Sequence, residues 1–254
     1  MPETREWDGA CYDRISAPME ALGLPVLARL ELAGDETVLD AGCGSGRITQ
    51  ALIERLPDGR VIAVDASASM VAAARERLPD TDVRRVDLLE LDLPALGLDR
   101  PLDAALSTAT FHWISDHEAL FARLRGVLRD GGRLVAQCGG AGNIDVLRGH
   151  ASEVMAREPY AAAFADFEQP WNYATPADTR RRLLDAGFAE ADCWLEPAPK
   201  QPDRPREFLS TIVLGPHYQQ LPQRLREQFM DDVLAELGDP VVVDYVRLNI
   251  DATA

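Results

Sequence analysis

The chain has 254 residues, 46% of them hydrophobic and 27% charged, with a formal net charge of −16. That is ample apolar content for a core, at a length suited to one α/β domain with elaborations. The negative balance opposes nucleic acid and anionic membrane surfaces, so neither is expected as a partner.

Residues 8–32 read as helical with a break near Gly23-Leu24-Pro25, and residues 1–35 as a helical cover on the sheet surface or over its mouth. Trp7 on this segment reads as core packing. Alternation then begins. A strand over 37–41 precedes a helix over 47–56, in which Ile48, Leu52, Ile53 and Leu56 keep helical spacing, and Pro57-Asp58-Gly59 ends it. Val61 to Asp65 is an apolar run ending in an acid, as a strand buried on both faces would be. A helix over 68–78, a polar strand over 82–87 and a strand over 102–107 follow. Ser115-Asp116-His117-Glu118 reads as a capping box for a helix over 116–129, closed by Asp130-Gly131-Gly132 before a strand over 133–138.

After this fifth strand the rhythm breaks. Gly139-Gly140-Ala141-Gly142 reads as a mobile loop and 144–168 as a helical pair; Thr175-Pro176-Ala177-Asp178 caps a helix ending at Gly187. Strand six is expected from Phe188 to Leu195, helices over 205–214 and 222–237, and a final strand over 241–250 lying antiparallel beside strand six. The expectation is a single domain over 1–254: a doubly wound, seven-stranded, mostly parallel sheet with helical insertions at 143–174 and 203–238.

Ligands in such sheets bind beyond the carboxyl ends of the strands. There Asp40-Ala41-Gly42-Cys43-Gly44-Ser45-Gly46 joins the first strand to a helix N-terminus, whose free N–H groups and dipole suit a polar ligand. A dinucleotide loop would want glycine where Arg47 stands, and no Lys-Ser/Thr pair follows as in a phosphate-binding loop. Asp65, with Ala66 behind it, ends strand two, where an acid accepts from both ribose hydroxyls of a nucleoside. Asp87 is either an acceptor for an adenine amine, with Leu88 against the ring, or a solvated loop acid. Met70 is either core or ligand contact, and Ser107 ends strand four.

The Asp40-x-Gly42-x-Gly44-x-Gly46 pattern resembles motif I of the class I S-adenosyl-L-methionine methyltransferases, and Val61 to Val71, Asp87 and Leu102 to Val135 look like successive parts of that family. Phe111 to His117 resembles its trans-aconitate 2-methyltransferase-like branch, as does Tyr245-Val246-Arg247-Leu248 at the end. The resemblance implies a Rossmann-like fold, S-adenosyl-L-methionine as cofactor, and methyl transfer to a small organic acceptor, at oxygen, with carboxylate favoured over hydroxyl. It implies a cofactor site made of Tyr12, Asp40, Gly42, Cys43, Gly44, Gly46, Asp65, Ala66, Met70, Asp87, Leu88 and Ser107. Tyr12, His112 and Trp113 would hold the acceptor, and no metal is expected. His112 either takes a proton, positions the acceptor, or merely caps a turn. Tyr12 and the insertion 144–173 are expected to close over the site. Two rivals remain: a fold that uses the cofactor without methylating, as in decarboxylation or hydroxylation, and a non-catalytic cofactor-binding partner protein. The four cysteines are far apart and form no C-x-x-C pair, and residues 1–20 contain Glu3, Glu6, Asp8 and Asp13 and no apolar signal region, so a cytoplasmic setting is expected.

Overall fold

A computed structural model describes residues 17–254. The elements in order are α1 (Ala17–Arg29), β1 (Thr37–Ala41), α2 (Arg47–Glu54), β2 (Arg60–Asp65), α3 (Ala68–Arg77), β3 (Asp82–Arg85), β4 (Leu102–Thr108), α4 (His117–Val127) and β5 (Leu128–Gly139). There follow α5 (Asp145–Met155), α6 (Pro176–Asp185), β6 (Glu190–Pro197), α7 (Pro205–Phe208), α8 (Gly215–Gln220), α9 (Gln223–Leu237) and β7 (Val246–Thr253).

The seven strands form one sheet in the order β3-β2-β1-β4-β5-β7-β6. The five strands β1 to β5 pair in parallel, and β7 enters antiparallel to both β5 and β6. Helices cover both faces, so the central strands bury both sets of side chains and read as continuous apolar runs. On one face Leu39, Ile62 and Val64 pack with Phe121 and Leu124 of α4 and with Leu248 and Ile250 of β7. On the other, Val38, Val61, Leu106 and Val135 pack against Val26 of α1, Leu30 just after it, and Ile48 and Leu52 of α2. A separate core lies in the two insertions, where Leu147 and Val154 of α5 meet Phe229 and Val233 of α9.

Several boundaries differ from the pattern-based expectation, each for a local reason. The final strand runs 246–253 rather than 241–250, because Val241, Val243 and Tyr245 spend their alternation on the insertion core; Val243 only bridges to Lys200. Strand three stops at Arg85, after which the Asp87 carboxylate accepts from Leu89 N–H and starts a 3-10 turn. Asp116, not Ser115, caps α4 by accepting from Ala119 N–H, and Leu128 already belongs to β5. The segment 205–214 is one turn of α-helix followed by a π turn over Leu209–Val213, after which Pro216 opens α8. The segment 144–168 holds one helix and a single 3-10 turn instead of a helical pair.

Phe121 is fully buried and meets Phe111 edge-on, at 6.0 Å between ring centroids. Phe121→Ala should cost about 3–5 kcal/mol, read as a lowered urea midpoint with an unchanged slope.

Candidate functional site

The loop after β1 is shaped by its glycines. Gly42 and Cys43 both donate their N–H groups to Val64 O at 2.9 Å, which folds the loop back over β2. Gly42 lies at φ 85° and Gly44 at φ 54°, a region open to glycine at little cost. A Cβ at Gly42 would overlap the Thr110 side chain, whereas one at Gly44 would meet nothing within 4 Å. Gly44 therefore presents bare backbone to open space. Gly46 caps α2 in the left-handed conformation and closes the turn onto Cys43 O. The Cys43 thiol is 8% exposed, and burial with two nearby acids raises its pKa, so it stays protonated.

Two acids flank this loop. Asp65 accepts from Gly44 N–H at 3.0 Å and from Ser67 N–H at 2.9 Å, so its carboxylate is fixed in direction. Ala66 O accepts from Arg85, and the Ser67 hydroxyl caps α3 through Met70 N–H. Asp40 is 1% exposed; Thr49 donates to its Oδ2 at 2.6 Å, and its Oδ1 is buried with no hydrogen-bond partner among the described residues. Desolvation is the main cause that raises its pKa to about 6. Met70 and Leu88 are buried, Leu88 within the sheet-face core, and the Ser107 hydroxyl donates to Ala41 O at 2.6 Å.

The segment after β4 ties this loop to a second feature. Thr110 donates to Gly42 O or Thr108 O, each at 3.1 Å, and Ala109 sits at φ 57°. His112 and Trp113 follow on a 3-10 turn and line an open cleft with a cavity volume of about 50 Å³. Ile144 and Ile212 from the insertions, Trp171 and Tyr173 before α6, Tyr245 just ahead of the final strand and Arg247 within it line its walls. Trp171 and Tyr173 are nearly parallel, with planes 10° apart and centroids at 5.7 Å, and His112 stacks on Tyr173 at 5.9 Å. Gly139 N–H donates to His112 Nδ1 at 3.3 Å. A neutral imidazole that accepts at Nδ1 carries its proton on Nε2.

Arg247 is 4% exposed, donates to Gln137 Oε1 at 3.4 Å, and has its guanidinium 5.8 Å from the centre of the Tyr245 ring. The structure thus gathers His112 and Trp113 with aromatic and cationic residues that sequence reading did not single out, chiefly Trp171, Tyr173 and Arg247. An arginine inside a buried strand was the available signal. Tyr12 lies outside the described residues. A larger open groove, lined by Arg133, Arg180, Glu190 and Asp251 among others, lies where β5 begins its parallel run and β7 ends. That is the opposite end of the sheet from the glycine loop, and ligands in such folds bind at the carboxyl ends. His150, Glu153 and Glu236 bring ligand atoms within 4.8 Å of one another across α5 and α9, and Glu236 is ion-paired with Arg157 at 2.7 Å. Among the described residues, no helix is long and apolar enough to cross a membrane.

With this geometry in place, residues 38–132 match the family described as a methyltransferase domain. The chain is 32% identical over 193 residues to a trans-aconitate 2-methyltransferase of Methylobacterium nodulans, covering 76% of this chain and 68% of that one. It is 27% identical over 245 residues to a trans-aconitate 2-methyltransferase of an Acidovorax species, covering 92% and 90%. Its fold is similar to that of the YcgJ protein of Bacillus subtilis, with a TM-score of 0.63 at 17% identity over 92% of this chain and 97% of that one. It is also similar to phosphoethanolamine N-methyltransferase 2 of Haemonchus contortus solved with S-adenosyl-L-methionine, with a TM-score of 0.59 at 18% identity over 97% of this chain. This chain spans 56% of that structure's length.

Asp40 makes stability pH-dependent. An acid whose folded pKa is raised from 3.8 to about 6 holds its proton more tightly folded than unfolded. Stability therefore falls as pH rises through that window. In urea titrations of the ligand-free protein, Asp40→Asn should abolish a decline on the order of 3 kcal/mol between about pH 4 and pH 7. Parallel pH profiles for the two proteins would show that Asp40 ionises freely.

Proposed function

The chain belongs to the class I S-adenosyl-L-methionine-dependent methyltransferases, and we propose that within this family it esterifies a carboxylate of a small organic acid. It is an enzyme that takes its methyl group from S-adenosyl-L-methionine and passes it to a small molecule. The trans-aconitate 2-methyltransferases among its relatives act on a carboxylic acid, and that likeness supports the choice of acceptor. One observation carries it: a guanidinium, Arg247, is built almost fully buried into the wall of the cleft next to the glycine loop.

The residues around the loop fit such a cofactor. The open side of Gly44 leaves room for a ligand against bare backbone, and the orphaned Oδ1 of Asp40 suits a cationic or N–H-bearing group. In our reading Asp65 accepts from the ribose hydroxyls, Asp87 and Leu88 face the adenine, and Asp40 and the Gly42–Gly46 turn hold the amino-acid portion. Cys43, Ala66, Met70 and Ser107 shape that surface. Residues 143–174 and 203–238 form the cap on the acceptor side, and the whole chain acts as one domain in the cytoplasm. When bound, S-adenosyl-L-methionine supplies a methyl group on a sulfonium, electrophilic enough for a carboxylate oxygen to accept without a base.

This chain's task is then alignment and exclusion of water, where orientation alone can contribute about 7–11 kcal/mol. Arg247 holds the carboxylate with charge-assisted bonds. His112, its Nδ1 engaged by Gly139 N–H, offers an Nε2–H donor and positions the acceptor instead of taking a proton from it.

Incubation with methyl-tritiated S-adenosyl-L-methionine and a pool of organic acids should give a labelled product that mild alkali hydrolyses to volatile methanol, as a methyl ester requires. Base-stable label would overturn carboxylate methylation. Arg247→Gln should lower kcat/KM for the acid about 10- to 100-fold, in line with 1.5–3 kcal/mol for a charge-assisted bond. Affinity for S-adenosylhomocysteine should not change. His112→Phe should raise the acceptor KM with kcat within a few-fold, and His112→Gln, which keeps a donor, should recover most of the loss. A fall in kcat of about 100-fold or more, with the loss of a pH limb near neutrality, would instead identify His112 as a base.

A further inference from the structure

A second cluster of chemistry lies outside the cleft, where the two insertions meet. We propose that His150, Glu153 and Glu236 bind a late first-row divalent cation, Zn²⁺ foremost, which staples α5 to α9. This assignment rests neither on the acceptor nor on methyl transfer.

Helical spacing builds the cluster. Leu147, His150 and Val154 recur on one face of α5, and Phe229, Val233 and Glu236 on one face of α9. Leu147, Val154, Phe229 and Val233 pack together in the insertion core, so the same seam carries His150 and Glu236 to its rim. Glu153, one turn on from His150, joins them, and one ligand atom from each of the three lies within 4.8 Å of the others.

The bonding of these groups sets them apart from an ordinary charged surface. Neighbouring polar groups are paired: Asp145 with Arg148, Glu227 and Asp231 with Arg206, and Asp232 with the Tyr160 hydroxyl. The His150 ring and the Glu153 carboxylate have no hydrogen bond or ion pair among the described residues. His150 Nδ1 is also sealed from solvent, an orphaned state that costs stability. Arg157 meets Glu236 at 2.7 Å and leaves Glu153 unneutralised, in a chain whose net charge of −16 attracts cations. One imidazole nitrogen with two carboxylate oxygens is a borderline donor set that Zn²⁺ accepts, whereas Mg²⁺ and Ca²⁺ prefer oxygen alone. Metal–donor bonds of about 2.0–2.2 Å put two donors on one ion at most about 4.4 Å apart, so small side-chain rotations close the set. Water completes the coordination. The ion then holds α5, which starts beside the cleft residue Ile144, against α9.

The test is calorimetric titration of the full, chelator-treated chain with zinc chloride, with Co²⁺ as a spectroscopic probe. One equivalent of zinc should bind. His150→Gln and Glu153→Gln should each weaken it at least about tenfold, and Arg157→Gln, which frees Glu236, should tighten it. With zinc about 100-fold above Kd, the wild-type Tm should rise by about 5 °C or more, a rise that His150→Gln abolishes. Co²⁺ should give d–d bands without a thiolate charge-transfer band, as ligation by nitrogen and oxygen requires. Unchanged circular dichroism in each variant shows that the fold survives. Undiminished zinc binding by His150→Gln, weaker binding by Arg157→Gln, a thiolate band, or no saturable one-to-one binding would overturn the assignment.

Discussion

A guanidinium inside a protein has to be fixed by something, and here it is the antiparallel entry of β7 between β5 and β6. That register sets Arg247 opposite Gly139 and Asn249 opposite Gln137, on the same face of the sheet. Asn249 Oδ1 then accepts from Gln137 Nε2 at 2.9 Å and from Arg29 at 2.8 Å, while its Nδ2 donates to Glu196. Arg29 also pairs with Asp251 and bonds Ala136 O. The result is a polar chain from α1 across the last strands to the cleft. Each amide in it donates and accepts, which a buried charge requires if its desolvation is to be offset. A register shift of one residue would turn Arg247 and Asn249 into the opposite, apolar core.

Gln137 is where the two halves of the site meet. Its side chain holds Arg247, and its carbonyl accepts from Ala109 N–H at 2.7 Å, directly before Thr110 reaches the glycine loop. The left-handed Ala109 is a small local strain, tolerated where surrounding bonds over-determine it, and it lines the cleft itself. The β4 loop is thereby pinned between the glycine turn and the wall of the cleft.

The parallel half was legible because its signals are local. Val38-Leu39-Asp40 and the run Val61 to Asp65 need no knowledge of the rest of the chain to be read as buried strands, and a glycine turn is written in adjacent residues. The last part resisted for the opposite reason. Val241, Val243 and Tyr245 alternate like a strand, yet their burial is in the insertion core, and the paired residues include the polar Asp251 and Thr253. His112 was visible as a histidine beyond β4, but its tautomer follows from Gly139, 27 positions away. Arg247 could be seen only as part of a pattern, because its neighbours Gln137 and Tyr173 come from separate elements.

This division has a physical consequence for how the protein is put together. The family match covers residues 38–132, which contain the glycine turn, Asp65 and Asp87. Of the cleft lining, that stretch supplies Ala109, His112 and Trp113, whereas Asn143, Ile144, Trp171, Tyr173, Ile212, Val213, Tyr245 and Arg247 lie beyond it. The glycine-loop side is therefore made by backbone turns and strand ends, which tolerate little change, and much of the cleft by side chains on insertions with their own core. Packing in that core can be altered while β1, β2 and β4 keep their pairing. On the proposed reading, the cleft walls, more than the glycine loop, decide which acceptor this chain takes.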